Sequence, residues 1–505
     1  MYTSPPPTTT PSNGLICFTN CLLPLEDGSL VSQDLWIDER RGVILDAQKT
    51  FYMRQERPSR IVDLEGCILS PGFLDIQING AYGFDFSVYE KDDETYQRGL
   101  YTVASRIVET GVTSLLPTLV TLPSPLYPTL LRLLRPISAP GCATLLGWHA
   151  EGPFIDLEKR GAHESSYLRK AECGFGSFED VYGAANLVER EDWDMSSVDG
   201  VDNDGMGVGV RVITTAPEIP GVLSAIEECV KRGIIVSIGH SRATTPLATL
   251  AILTGARLIT HLFNAMPQMH HRDPAIVGLL GASPFVEGVE GVEDGAVLDG
   301  SEALEFSPKR LDDTASLPGS TPISRSSSQP PTPTTAKSIN RPALHLEKGQ
   351  IASMPFERPF YGLIVDGIHC HPNSVRLAYS SHPEGCVLVT DAMKILDPNL
   401  SDGIHEWRDG KRFVKEGDKL YLEGTSTLAG SVVTMDKCIR NFSKFTGCSL
   451  GEAIKCATYN PAKCLGIESR KGTLRPGAHA DFAVLDKRGV VRATWVAGRE
   501  VWRRT

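Results

Sequence analysis

The chain has no CxxC pair, and its 12 cysteines are scattered singly over 505 residues. That spacing is too sparse for a disulfide scaffold, so reduced thiols are expected. No apolar run approaches the roughly 20 residues that a membrane helix requires. Basic residues are in deficit, and a net charge of −11 disfavours association with nucleic acid or an anionic membrane, both polyanionic. An anionic substrate must therefore meet a local basic spot. The opening stretch MYTSPPPTTTPSNG lacks the basic-then-apolar order of a secretory signal. Residues 1–14 are expected to form a disordered leader, and the expected location is cytoplasmic. An apolar fraction of 41% and a charged fraction of 22% are ordinary for a soluble globular chain. The length accommodates one large α/β barrel and a smaller module.

The texture along the chain changes twice. From 15 to 70 it carries short β-prone runs (LICFTN, LWIDE, RIVDLEGCILS) broken by turn residues, with no crossover helix evident. After Pro71, strand and helix patterns alternate, as in ETYQRGLYTVASRIVETG followed by VTSLLPT, which is the signature of βα units. Near Lys471 the β texture returns with GTLRPGAHADFAVLD and VRATWVAGREVW. The expected architecture is a TIM-like (β/α)8 barrel over 71–470, with a small discontinuous β-sandwich built from 15–70 and 471–505. SLGEAIKCATYNPAKCLG opens with Ser449 and Glu452 at capping-box spacing and is expected to be one barrel-closing helix. Stretches near 190–209 and 286–350 are acidic, or rich in Ser, Pro and Thr, and are read as surface insertions. Within the second, Ser307, Thr321 and Thr332 precede proline and offer phosphorylation sites, although a passive linker is the preferred reading.

Four acid or imidazole side chains each follow an apolar β-like run: Glu151 in LLGWHAEGPF, His240 in IIVSIGHS, His261 in LITHLFNAMP and Asp391 in VLVTDAM. In a parallel barrel all strand C-termini open on one face, so these residues converge on one pocket. Two imidazoles and a carboxylate suit a divalent ion with an open coordination position, Zn²⁺ above all, and a further carboxylate can move protons. The pattern is that of a metal-assisted hydrolase. Cys370, in DGIHCHP, is a minor further candidate for the metal. Asp391, in a strand-end turn, could alternatively cap a helix.

The segments PGFLDIQINGAYGFDFS, GWHAEGPF, KRGAHE, APE, SIGHSRAT, THLFNAMPQMHHRDP, DGIHCHP, VLVTDA, LAGS and NPAKCLGI with GTLRPGAHADFAVLD resemble the N-acetylglucosamine-6-phosphate deacetylase family of the amidohydrolase superfamily. The likeness runs from about 60 to 500, outside the two insertions. It implies a homodimeric barrel enzyme that hydrolyses the N-acetyl group of a phosphorylated amino sugar. It also implies that Glu151, His240 and His261 bind the metal and that Asp391 is the catalytic acid/base. His163 would bind the substrate carbonyl, His369 the sugar, and Asn264, Ala265 and Arg272 the phosphate, with Leu428 of the LAGS segment also lining the substrate site. The arginine reaches across from the neighbouring subunit in some relatives. Many superfamily members carry His-x-His after the first barrel strand, where this chain has Gln77-Ile78-Asn79. Neutral amides are poor transition-metal ligands, which favours one ion per chain over two. Three alternatives remain at this point: a deacetylase for another amino-sugar phosphate such as the galactose epimer, a base deaminase, and a non-catalytic sensor on the same fold. The missing His-x-His pair speaks against the deaminase.

Overall fold

A computed structural model describes residues 12–187, 209–282, 356–407, 410–425 and 428–505. The leader up to 11, the stretches 190–208 and 286–350, and the serine and threonines above lie outside the described residues.

Eight apolar runs form parallel strands: Phe73–Ile78 (β1), Val112–Val120 (β2), Trp148–Glu151 (β3), Val210–Thr215 (β4), Ile235–Ile238 (β5), Leu258–Ile259 (β6), Phe360–Ile364 (β7) and Cys386–Val389 (β8). Each pairs with the next in parallel register. β8 returns to β1 through Asp391 N–H donating to the Gln77 carbonyl at 2.8 Å, and Thr390 Oγ1 donating to Asp75 Oδ2 at 2.5 Å. The result is a nearly closed (β/α)8 barrel. Helices dress its outside as the sequence periodicity predicts. Asp93–Arg106 is capped by Asp92, whose side chain accepts from Glu94 N–H, and it buries Tyr96, Leu100, Val103 and Ala104 against the barrel.

Strands from both chain ends interleave in the small β domain. A six-stranded sheet pairs Ile68–Pro71 with Phe482–Leu485 and places Val491–Val496 and Arg499–Arg503 beyond it. A four-stranded sheet contains Leu15–Thr19, Leu35–Asp38, Val43–Leu45 and Arg60–Asp63. Phe18 of the second sheet packs edge-on to Phe482 and Trp495 of the first, at 5.6 and 5.0 Å between ring centroids. This cluster holds the sandwich together. Phe18→Ala is expected to lower unfolding free energy by about 3–5 kcal/mol by cavity formation. Activity per folded molecule should stay unchanged. Denaturant titration checks the first point, and a loss under about 1 kcal/mol would show that the two sheets do not depend on this contact.

Two expectations need correction, and one unit went unread. A helix, Ala47–Arg54, does occur within the N-terminal β region. It connects toward Arg60–Asp63, which runs parallel to Leu15–Thr19 and so needs a crossover. Its sequence AQKTFYMR has no apolar stripe to betray it, and only Thr50 is buried. The expected single helix after Ser449 is two, Leu450–Lys455 and Tyr459–Leu465, although the Ser449/Glu452 capping box is present. The break lets the carbonyls of Cys456 and Ala457 accept from Leu388 and Leu74 N–H at 2.8 and 2.9 Å. Finally, a three-stranded antiparallel sheet, Gly403–Glu406, Arg412–Glu416 and Lys419–Leu422, follows β8. Its Trp407, Phe413 and Leu420 pack on Met393, Ile395, Ala429 and Ala162. It thus roofs the loops that carry Asp391 and His163.

Candidate metal centre and active site

The end positions of the parallel strands place every ligand candidate on one face. Glu151 is the last residue of β3, His240 and His261 lie two residues past β5 and β6, and Asp391 lies two past β8. His240, His261 and Asp391 have φ of +49°, +27° and +47°, a region that non-glycine residues rarely occupy. Such strain clusters at functional sites, and here it turns each side chain back over the barrel mouth. Gly239 allows the His240 turn by close approach, because a Cβ there would come within 2.6 Å of Thr260 and 2.8 Å of Thr214.

The donor atoms converge. His240 Nε2 lies 2.8 Å and His261 Nε2 3.1 Å from Glu151 Oε1, and the two imidazole nitrogens are 3.0 Å apart. His240 Nδ1 is 2.8 Å from the Lys159 carbonyl, which can only accept, so Nδ1 carries a proton and Nε2 is the nitrogen turned to Glu151. An imidazole nitrogen facing a carboxylate oxygen at 2.8 Å requires a proton or a cation between them. Burial pushes the Glu151 carboxyl up, but the hydrogen bonds and charge of His240 and His261 outweigh it and hold the group well below the usual carboxylate range. Ligand atoms about 2.0–2.2 Å from a tetrahedral ion lie roughly 3.3–3.5 Å apart, so small rotations would fit this trio to a divalent metal. Glu151, His163 and His240 likewise offer donor atoms within 4.8 Å of one another.

His163 suits a different task from the other imidazoles. Its Nδ1 accepts from Thr121 backbone N–H at 3.3 Å and lies 2.8 Å from Thr121 Oγ1. In the neutral ring that leaves the proton on Nε2, making that nitrogen a hydrogen-bond donor. Asp391 is half-buried beside Glu151, and desolvation first, then the charge of Glu151, pushes its carboxyl up to about 6. Asn79 Nδ2 donates to Asp391 Oδ1 at 2.7 Å, and Gln77 Nε2 lies 3.4 Å from both Asp391 Oδ1 and Glu151 Oε1. The two amides thus tether the carboxylates by hydrogen bonds. Among the described helices Asp391 caps none.

The remaining predicted residues are more dispersed. His369 Nδ1 donates to Asp366 Oδ2 at 2.6 Å, which places a ring proton on Nδ1. Asn264 Nδ2 is turned into its own loop, toward the carbonyls of His261 and Leu262 at 3.3 Å each. Ala265, at φ +52°, accepts from Ser241 N–H at 3.2 Å. Arg272 is exposed, and Asp273 accepts from Thr245 and Ala275 rather than from it. Leu428 is half-buried in a bridge with Tyr421 at the edge of the roofing sheet. Cys370 is not poised as a ligand, since burial pushes its thiol up to about 12 and Sγ faces the Leu262 carbonyl at 3.7 Å. All 12 cysteines are free.

Sequence reasoning missed the groups that orient these residues. Glu218, in APE, accepts from Ser241 Oγ at 2.7 Å and Arg242 N–H at 2.5 Å and so anchors the His240 turn. Asp366 precedes His369 by three residues, a turn spacing that was available as a signal; Thr121 carries no local signal at all.

The amidohydrolase family model matches residues 68–501. The chain belongs to the amidohydrolase family. It is 38% identical to the N-acetylglucosamine-6-phosphate deacetylase of Bos taurus over 97% of its length and 96% of that protein. The likeness to the Danio rerio protein of the same name is 38%, over 96% of each chain. A variant of the N-acetyl-D-glucosamine-6-phosphate deacetylase of Mycobacterium smegmatis, solved in complex with N-acetyl-D-glucosamine-6-phosphate, shares the fold with a TM-score of 0.65 at 22% identity, covering 97% of this chain and 99% of that one. This amidohydrolase is a metal-dependent hydrolase. No helix among its described residues is long and apolar enough to cross a membrane.

Proposed function

We infer that the chain hydrolyses N-acetyl-D-glucosamine 6-phosphate to D-glucosamine 6-phosphate and acetate, a reaction of amino-sugar catabolism and recycling. The observation that carries this reading is the end-to-end likeness, at 38% identity, to deacetylases named for that substrate. The convergence of Glu151, His240, His261 and Asp391 at one barrel mouth supports it chemically. Amide hydrolysis needs an activated water and a proton for the departing amine. A divalent ion on Glu151, His240 and His261, Zn²⁺ by donor chemistry and one per chain, would lower the pKa of water from about 16 toward 7 and polarise the acetyl carbonyl. Asp391 removes the proton from the attacking water and returns it to the sugar nitrogen as the C–N bond breaks. His163 donates from Nε2 to the acetyl oxygen as negative charge develops there, in a site that excludes bulk solvent. Asn79 and Gln77 keep Asp391 turned inward. His369, held by Asp366, accepts a sugar hydroxyl, and Leu428 borders the substrate under the roofing sheet. Ala265 and Asn264 shape the phosphate turn, and Arg272 supplies the fork for the phosphate oxygens. The exposure of Arg272 suits a homodimer in which it reaches the neighbouring site. The acidic surface is in keeping with a cytoplasmic enzyme that has neither nucleic acid nor membrane as a partner.

The test is acetate release from the 6-phosphates of N-acetylglucosamine and N-acetylgalactosamine side by side. Preference for the galactose epimer, or no release from either by metal-loaded protein, overturns the reading. Arg272→Ala should raise KM for the phosphorylated sugar roughly 10- to 150-fold, the equivalent of about 1.5–3 kcal/mol for a charge-assisted hydrogen bond. Turnover of unphosphorylated N-acetylglucosamine should change far less. Equal losses on both sugars would remove Arg272 from phosphate recognition.

A further inference from the structure

Beneath the ligands the barrel interior holds a buried polar layer where branched apolar side chains are the rule. His149, Thr214, Ser237 and Thr260 are each at most 1% exposed. They come from β3, β4, β5 and the end of β6, the strands that carry or flank Glu151, His240 and His261. His149 Nδ1 lies 3.1 Å from the Ile76 carbonyl of β1, and its Nε2 lies 2.7 Å from Thr214 Oγ1. Thr214 Oγ1 is 2.7 Å from Thr260 Oγ1, which is 2.5 Å from Ser237 Oγ.

Donor accounting gives this chain a single direction. The Ile76 carbonyl can only accept, so the imidazole proton is on Nδ1 and Nε2 is an acceptor. Thr214 must then donate to His149, Thr260 to Thr214, and Ser237 to Thr260, since each hydroxyl has one proton. A buried network in which every member is satisfied rigidifies what it connects. His149 shares a strand face with Glu151, two residues on. Thr260 directly precedes His261, and Ser237 lies three residues before His240. The run of bonds therefore crosses β1, β3, β4, β5 and β6 one layer below the ligand atoms.

We propose that His149 is a positioning residue, which through the Thr214–Thr260–Ser237 chain sets the mutual spacing of Glu151, His240 and His261 for a divalent ion. The proposal rests on the metal reading of those three residues. Groups that orient ligands from behind typically contribute about 10- to 100-fold in metal affinity.

The experiment measures Zn²⁺ affinity by chelator competition and the visible spectrum of the Co²⁺-loaded protein. The proteins are wild type, His149→Phe, His149→Gln, Thr260→Val, Phe18→Ala and Glu151→Gln. His149→Phe and Thr260→Val should each weaken Zn²⁺ binding about 10- to 100-fold and alter the Co²⁺ bands. His149→Gln, whose amide oxygen can accept from Thr214, should recover part of both. Phe18→Ala reports what lost stability alone does, and it should leave affinity and spectrum intact. Thr260→Val is nearly isosteric and decides the matter if His149→Phe fails to fold. Wild-type affinity and spectrum in Thr260→Val overturn the proposal, as does an affinity loss that Phe18→Ala reproduces. A wild type that binds no ion, or a Glu151→Gln variant that binds as tightly as wild type, instead overturns the metal reading itself.

Discussion

Asp391→Asn should lower kcat by about 10²- to 10⁴-fold with fold and metal content retained. Asparagine matches the shape of aspartate but cannot take the proton from water and give it to the amine. The loss should appear in kcat more than in KM, because proton transfer belongs to the transition state. The wild-type pH profile gives an independent check. The Asp391 carboxyl stands at about 6, raised first by burial and then by Glu151. It acts as a base only when ionised, so activity should fall as pH drops through that value. A cation held by Glu151 favours the ionised form and moves this acid limb lower, never higher. Steady-state kinetics on the variant, with metal analysis of the same sample, decide the assignment. Near-normal turnover, or a wild-type acid limb above pH 7, would remove Asp391 from its role.

Glu151→Gln should abolish tight metal binding and, with it, activity. Among the described residues Glu151 is the one carboxylate that both ligand imidazoles approach, at 2.8 and 3.1 Å. Replacing it with an amide removes the anionic ligand and leaves the imidazoles with a neutral neighbour. The fall in affinity should exceed the roughly 10- to 100-fold typical of losing a group behind the ligands. Elemental analysis of the purified wild type should return about one zinc per chain, and of the variant far less. Two tightly held ions in the wild type, both needed for activity, would overturn the single-ion reading. A variant that retains its metal would move the centre to other ligands, with His163 the first to consider, since it lies within the same 4.8 Å group.

The capping box at Ser449 and Glu452, and the helix and strand over 93–120, were legible because they depend on residues close in sequence. The helix Ala47–Arg54 was not, because its formation answers to a parallel strand pair and not to an apolar stripe. The split of the helix after Ser449 was equally hidden, since it follows from barrel carbonyl pairings with Leu74 and Leu388. The roofing sheet over 403–422 went unread as a unit, because its apolar partners Met393, Ala429 and Ala162 lie in other segments.

For the site, sequence by itself determined which groups are available: strand-end acids and imidazoles, and Gln77 and Asn79 in place of two ligand histidines. Strand-end placement suffices for that, because parallel strands must all end on one face. Tertiary structure decided which nitrogen carries the proton in His240, His163, His369 and His149, through Lys159, Thr121, Asp366 and Ile76, residues far from or unremarkable beside the histidines they orient. It also decided that Asn79 grips Asp391 across 312 positions, and that Cys370 is a buried packing thiol. Hydrogen-bond direction and desolvation depend on neighbours brought together only when the barrel closes, and no local pattern in the chain encodes them.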